Sequence, residues 1–211
     1  LEQAKRDGAD TLAITNVANA PITAVADHTI PLHAKPELAV AATKTYSSSL
    51  AALLLLSAAL NRNEELQAHL EQTPALIADT LHHEHQIVQH IERFRYLREC
   101  VVLGRGYNLG TAYELALKMR ETSYVRAQPF ASPDFVHGPI AIIDEGFPVI
   151  AFANRGLALP SVITVIKDVQ SRGAEAVVIG NAPDALAIAD VPIAVSADRE
   201  IPEVISPFPS I

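Results

Sequence analysis

A doubly wound α/β architecture on a mostly parallel sheet is predicted by three observations. Short, continuously apolar runs alternate with helical patterns of about 12 to 17 residues, the rhythm of βαβ units. Glycines punctuate the joints, in the turn after "CVVL" and at the end of "LPSVITVIKDVQSRG". The chain is 49% hydrophobic and only 19% charged, so it can bury a core of that size. Strands linked through helices pair in parallel by right-handed crossovers.

Taken in order, "LEQAKRDGAD" (1–10) has an amphipathic pattern and then the Gly and Asp that end a helix. "TLAIT" (11–15) is a buried-type strand, "NVANAP" a loop and "HTIPLH" (28–33) a second strand. "AKPELAVAATK" leads into a long apolar helix ending near residue 60. The apolar stretch "SSSLAALLLLSAAL" within it is too short to span a bilayer and is expected to be buried, with "SSS" marking close helix packing. Residues 62–96 turn to Glu, Gln, His and Arg at helical spacing, a helical linker of two helices with Pro74 as the break. From residue 97 the α/β rhythm resumes. "CVVLGRG" is a strand entering a turn, 108–124 a helix, "VRAQPF" a short strand and "ASPDFVHGP" a loop with one helical turn. "FPVIAFA", "AEAVVIG" and "ADVPIAV" supply the remaining strands. The expected domains are 1–61, the remaining part of one α/β unit, then the linker 62–96, then a second unit, 97–211. The opening in mid-helix and the abrupt "ISPFPSI" predict a fragment of a longer protein.

Charge and cysteine content narrow the function. A formal charge of −8 and a pI near 5.4 argue against a broad nucleic-acid or anionic-membrane surface, while leaving room for a local phosphate pocket. The single cysteine, Cys100, sits before an apolar run and reads as a buried strand thiol; no intrachain disulfide is possible, which suits a cytoplasmic location. "HHEH" (82–85) with His90 invites a metal reading. The spacings are i,i+3 and i,i+7 where a helical zinc pair needs i,i+4, so no metal is expected.

Three short motifs carry candidate chemistry. Gly104, Arg105 and Gly106 follow a strand and precede a helix, where a turn can approach an anion closely. "GRGYNLG" lacks the glycine spacing of a dinucleotide fingerprint, and no cofactor is expected. In "ELALKMRETSY", Glu114, Lys118 and Glu121 fall opposite the apolar stripe Ala112, Leu115, Ala116, Met119. Spacing alone favours a solvated face with a Glu114–Lys118 pair at i,i+4; the functional reading needs a proton-shuttling carboxylate beside an orienting lysine. "VHGP" fixes His137 at a Gly-Pro turn, as a capping residue or as a group that protonates near neutral pH.

Together these segments are far more specific. "GRG…ELALKMRETSY…AQPFASPDFVHGPIAIID" closely resembles the second sugar-isomerase (SIS) domain of the two-domain sugar-phosphate isomerases, and "LAITNVANAPI" with "KPELAVAATKTYSSSLAALLLLSAAL" resembles the back half of the first. The resemblance implies αβα sandwiches of flavodoxin- or Rossmann-like type, the second complete domain preceded by part of another. It implies that Glu121 moves a proton between C1 and C2 of an open-chain sugar phosphate of the fructose-6-phosphate or glucosamine-6-phosphate type. Lys118 would position it, and His137 would assist ring opening in the site of a neighbouring subunit. Glu37, Val40 and Thr43 match a segment lining the pocket, and Glu114 would orient Lys118. A homodimer with the site at the subunit interface is implied as well.

Departures from the family pattern are Leu115 in place of a glycine, and Asp134 and Val136 in place of Glu and Lys. They favour a free-standing isomerase or deaminase over the isomerase half of a glutamine-dependent aminotransferase. The Ser/Thr-rich phosphate loop of the family lies upstream of the first residue, and a lysine-bearing C-terminal tail is absent. A non-catalytic phosphosugar-binding regulatory module is the alternative from another class; it predicts loss of the acid/base residues, whereas Glu121 and His137 are both present.

Overall fold

A computed structural model describes residues 1–195 and 201–210 of the chain, in two compact units, Leu1–Leu70 and Glu71–Ile211. In the first, α1 (Glu2–Arg6) leads to a two-stranded parallel sheet of β1 (Leu12–Thr15) and β2 (His28–Pro31), with Leu12 opposite His28 and Thr15 opposite Pro31. The pairing is pinned at its start by Asp27, whose carboxylate accepts from the Thr11 amide and hydroxyl at 3.0 and 2.7 Å and meets the Lys5 ammonium at 2.7 Å. The Lys5 bond, then those of Thr11, hold this carboxyl well below the usual carboxylate range. β2 stops short of the predicted residue 33 because His33 takes a left-handed φ of 53°, which ends the extended ladder.

α2 (Lys44–Asn61) is the predicted long helix, but it is not buried. Only Ala52 and Ala58 are, and Leu53, Leu55 and Leu60 are 50%, 48% and 76% exposed. A helix apolar on all sides cannot cover every face against two strands. The serines expected to mark close packing turn back on their own helix, Ser49 Oγ donating to the Thr45 carbonyl at 2.7 Å. α3 (Glu64–Leu81) corrects a second expectation, since Pro74 lies inside it rather than ending it. Proline removes one backbone bond and crowds the preceding turn. Leu70, Thr73 and Leu76 on either side of it are buried.

The second unit begins within α3, at Glu71, and continues with α4 (His85–His90) and a 3-10 turn at Ile91–Phe94. Its sheet contains β3 (Glu99–Gly104), β4 (Arg126–Ala131), β5 (Pro148–Phe152), β6 (Glu175–Gly180) and β7 (Val191–Ala194), in the order β4-β3-β5-β6-β7, every pairing parallel. The prolines agree with this order. Pro129 and Pro192 sit in the two edge strands, and Pro148 is the first residue of its strand, the places where a missing N–H is tolerated.

Side chains alternate across the pleat and divide the core in two. Val101, Leu103, Val149, Ala151 and Val178 face α7 (Leu159–Ser171), through its Val162, Ile166 and Val169. Cys100, Val102 and Phe152 face α5 (Asn108–Thr122), through Ala112 and Ala116. Burial pushes the Cys100 thiol up to about 12, the inert strand thiol expected. Short helices α6 (Ser132–Phe135), α8 (Pro183–Leu186) and α9 (Pro207–Ser210) complete the unit.

Gly104 sets where α5 begins. A Cβ there would collide with the Asn108 carbonyl and crowd the Ala112 methyl, so only glycine lets the first turn of the helix sit down on the strand end. Phe135 does the same work for α6. It is fully buried, its ring 5.2 Å from that of Phe130, and Ser132 Oγ in the same turn donates to the Gly104 carbonyl at 3.3 Å. Phe135→Ala is expected to cost about 3–5 kcal/mol, read as a lower urea midpoint at constant slope. An unchanged midpoint would show that this ring does not anchor the turn.

Candidate active site

The charged stripe of α5 forms a three-membered cluster. Lys118 Nζ lies 3.2 Å from Glu114 Oε1 and 3.1 Å from Glu121 Oε2, one ammonium held between two carboxylates. Side-chain exposure falls from 36% at Glu121 to 21% at Lys118 and 12% at Glu114, so the cluster runs from a shielded end to an open one. Partial burial pulls the Lys118 pKa down, but hydrogen bonds to Glu121 and Glu114 and their charges outweigh it and the net direction is up. The lysine therefore stays cationic through the neutral range and cannot serve as the base. Glu121, the more open carboxylate, can.

Leu115, the departure from the family pattern on this helix, points the other way. It packs with Met119 against the Cys100–Val102–Ala112 core, so the substitution leaves the charged stripe untouched. Val136 likewise packs inward against the larger core, while Asp134 is exposed.

The remaining predicted residues of this unit lie at the opposite edge of the sheet. In the β3–α5–β4 crossover the helix runs antiparallel to its strands. Its end is tied to the strand starts, Val125 N–H donating to Met119 O and Arg126 N–H to Arg98 O. Gly104, Arg105 and Gly106 are at the carboxyl end of β3, as is Ala131, the partner of Gly104 in β4, from which α6 and then His137 follow. Asn108 and Glu121 are separated along α5 by roughly 20 Å of helical rise. The structure thus brings Glu114, Lys118 and Glu121 together and leaves the Gly104–Gly106 turn and exposed His137 at the far edge. His137 is held by a bond from its N–H to the Asp134 carbonyl at 3.2 Å, and Gly138 follows with φ 152°, a backbone open mainly to glycine.

In the first unit, Glu37 accepts from the Thr45 amide and hydroxyl, both at 3.2 Å, with Lys44 Nζ 3.6 Å away. Its partial burial raises the carboxyl pKa, the two Thr45 bonds and Lys44 lower it, and the net direction is down. Glu37 therefore anchors the first turn of α2. Thr43 is the N-cap position without a side-chain cap bond, and Val40 is fully exposed. Sequence reasoning missed Asn16, whose Nδ2 donates to Lys35 O at 2.6 Å and whose Oδ1 accepts from Ala34 N–H at 2.9 Å. These bonds clamp the turn in which His33 and Lys35 both take left-handed φ. An Asn in the loop after a strand was the available signal. Of the decoy histidines, His82 Nδ1 is bonded to the Ala78 carbonyl at 2.6 Å. Among the described residues no group of three or more His, Cys, Asp or Glu is arranged to hold a metal ion.

Glu114→Gln together with Glu121→Gln would leave the Lys118 ammonium without either carboxylate. The Lys118 titration, raised in the parent chain by these two partners, is then expected to move to lower pH, measured by NMR of the lysine side chain. An unmoved lysine titration would mean that the cluster is not electrostatically coupled.

The comparisons with known proteins bear on the whole chain. The SIS domain profile matches residues 1–59 and 97–205. A glutamine–fructose-6-phosphate aminotransferase (isomerizing) from Thermococcus kodakarensis is 32% identical over 217 residues, covering 99% of this chain and 36% of the relative. The chain spans about a third of the length of the curated relatives of this kind that it matches. Among solved structures, a candidate phosphosugar isomerase from Silicibacter pomeroyi superposes with a TM-score of 0.81 at 31% identity, over 98% of this chain and 61% of that one. The C-terminal domain of glucosamine-fructose-6-phosphate aminotransferase from Francisella tularensis gives a TM-score of 0.87 over 98% of this chain and 60% of that one; at 23% identity it speaks for the fold alone. With the parallel five-stranded sheet and the order of its motifs already in place, the match over most of its length makes this chain a member of the SIS domain family.

Proposed function

We propose that the protein interconverts the aldose and ketose forms of an amino-sugar phosphate of the fructose-6-phosphate/glucosamine-6-phosphate type, with Glu121 as the base. The observation that carries this reading is the α5 cluster. A carboxylate that is to take a proton from C1 or C2 and return it to the neighbouring carbon must be open to substrate and held in place. Glu121 is the open member, and Lys118, fixed from its other side by Glu114, holds it 3.1 Å away. Lys118 also stabilises negative charge developing on the sugar oxygen as the enediol or enediolamine forms. No metal or cofactor is needed for such a proton shuttle.

His137 protonates the ring oxygen as the sugar opens. Because it stands at the other edge of the sheet from Glu121, the two residues of one unit belong to different sites. The reading that follows is a homodimer in which each His137 serves the partner's Glu121. The names of the curated relatives favour an aminotransferase context over the free-standing deaminase suggested by Leu115, Asp134 and Val136, since Leu115 and Val136 lie on packed faces away from the charged stripe.

In the full-length protein, Glu121→Gln is expected to lower kcat by about 10²–10⁴-fold with little change in substrate affinity, measured by glucosamine-6-phosphate turnover. Binding without turnover in the unmutated protein would sink the enzymatic reading in favour of a regulatory phosphosugar-binding module. A second measurement tests the subunit arrangement. Mixed dimers of Glu121→Gln and His137→Ala chains are expected to regain activity that neither variant has alone. No recovery after subunit exchange would place both residues in the same site.

A further inference from the structure

The amino edge of the second unit carries side chains that the α5 cluster does not use. A hollow of about 480 Å³ opens there beside Arg95, Tyr96, Arg98, Tyr124 and Arg126. An adjoining one of about 400 Å³ shares Tyr124 and Arg126 and adds Arg120. Four guanidinium groups thus gather in a chain whose formal charge is −8. Arg95 lies 3.6 Å from Glu92 and Arg126 lies 3.5 Å from Glu99, both pairs exposed and loose. Among the described residues Arg98 and Arg120 have no ion pair. Unneutralised arginines around a hollow suit phosphate groups, whose oxygens match the planar fork of the guanidinium.

The two tyrosines are an independent observation. Tyr96 and Tyr124 are 83% and 87% exposed. Tyr124 takes a left-handed φ of 57° directly after Ser123, the C-cap of α5. The turn itself is needed, because it folds the chain back so that Val125 N–H donates to Met119 O at 3.3 Å and the Val125 side chain is buried. Glycine is the usual residue at such a position, where a Cβ is strained. Here a tyrosine bears the strain and its ring receives no burial in return. Strain that packing does not repay points to function. The guanidinium carbon of Arg95 already stands 5.8 Å from the centre of the Tyr96 ring, so cation and aromatic face are adjacent in the same hollow.

We propose that this hollow is a nucleotide site, with the phosphates of a nucleoside diphosphate on Arg98, Arg120 and Arg126 and its base stacked on the ring of Tyr124. Bases stack on tyrosine whatever their identity, because each has a flat π-face. An inorganic anion, or the carboxylates of an acidic peptide, would engage the arginines and leave both rings in water. A nucleotide engages both. The volume is that of a small-ligand pocket, and the net negative charge of the chain disfavours a long polyanion. Arg120 and Tyr124 bracket Glu121 in the sequence, so the occupant stands at the end of α5 that carries the proposed base. The site does not depend on the isomerase reading.

The test is calorimetric titration of the intact chain with ADP, with pyrophosphate and adenosine as its separate halves. ADP is expected to bind saturably and about tenfold or more tighter than either half. Tyr124→Gly removes the ring and relaxes the backbone. It is expected to raise the urea midpoint while weakening ADP by roughly 5- to 100-fold and leaving pyrophosphate unchanged. Tyr124→Phe keeps the parent affinity, and Arg98→Gln weakens ADP and pyrophosphate alike. ADP binding no tighter than pyrophosphate would overturn the proposal, as would a Tyr124→Gly chain that is less stable than the parent or binds ADP equally well. Displacement of ADP by glucosamine-6-phosphate would assign the hollow to the sugar site, and tighter binding of a single-stranded oligouridylate would make it a strand site; either result overturns it. Turnover plays no part in these readouts, so failure of the Glu121 mechanism would be seen separately.

Discussion

The close approach of α5 to the end of β3 is the contact on which the rest of the second unit depends. The Asn108 carbonyl lies where a side chain on Gly104 would have to be. Backbone that close fixes both the height and the rotation of the helix. With Ala112 and Ala116 forced onto the sheet, 100° steps turn Glu114, Lys118 and Glu121 outward. The same Asn108 uses its side chain to hold Ser206, so one turn sets the charged stripe and fastens the closing segment.

Stability alone is a poor reason for the α5 cluster. Ion pairs this exposed contribute roughly 0–1 kcal/mol each, and two carboxylates on one ammonium partly oppose one another. What the arrangement provides is order. A lysine bonded on both sides cannot wander, and the more open carboxylate is presented in one place.

Much of the fold was legible in the chain because buried parallel strands are continuous apolar runs and helices have their own period. Which strands lie at the edges was not read from the sequence; the structure puts Pro129 and Pro192 there, where a missing N–H costs no ladder bond. Pro74 misled because propensity is local while burial of Leu70, Thr73 and Leu76 is not. The exposed leucines of α2 misled for a related reason: hydrophobicity says that a surface should be covered, not whether two strands are enough to cover it. In the candidate site, the stripe Glu114–Lys118–Glu121 was readable because i,i+3 and i,i+4 neighbours share a face by helix geometry. The anchoring role of Glu37 and the Asn16 clamp were not, since each depends on which loop folds back against it.

By itself, the sequence determined the family, the alternation of strands and helices, and the phase of α5. These follow from short-range periodicity and from motifs that keep their order along the chain. Only the tertiary structure decided that Glu121 and His137 stand at opposite edges of one sheet, and that a carboxylate 46 residues further on lies against the Leu157 amide. The direction of a crossover helix turns neighbours in sequence into opposite ends in space, and the partner of a glycine turn is chosen by packing. Spacing along a chain carries neither.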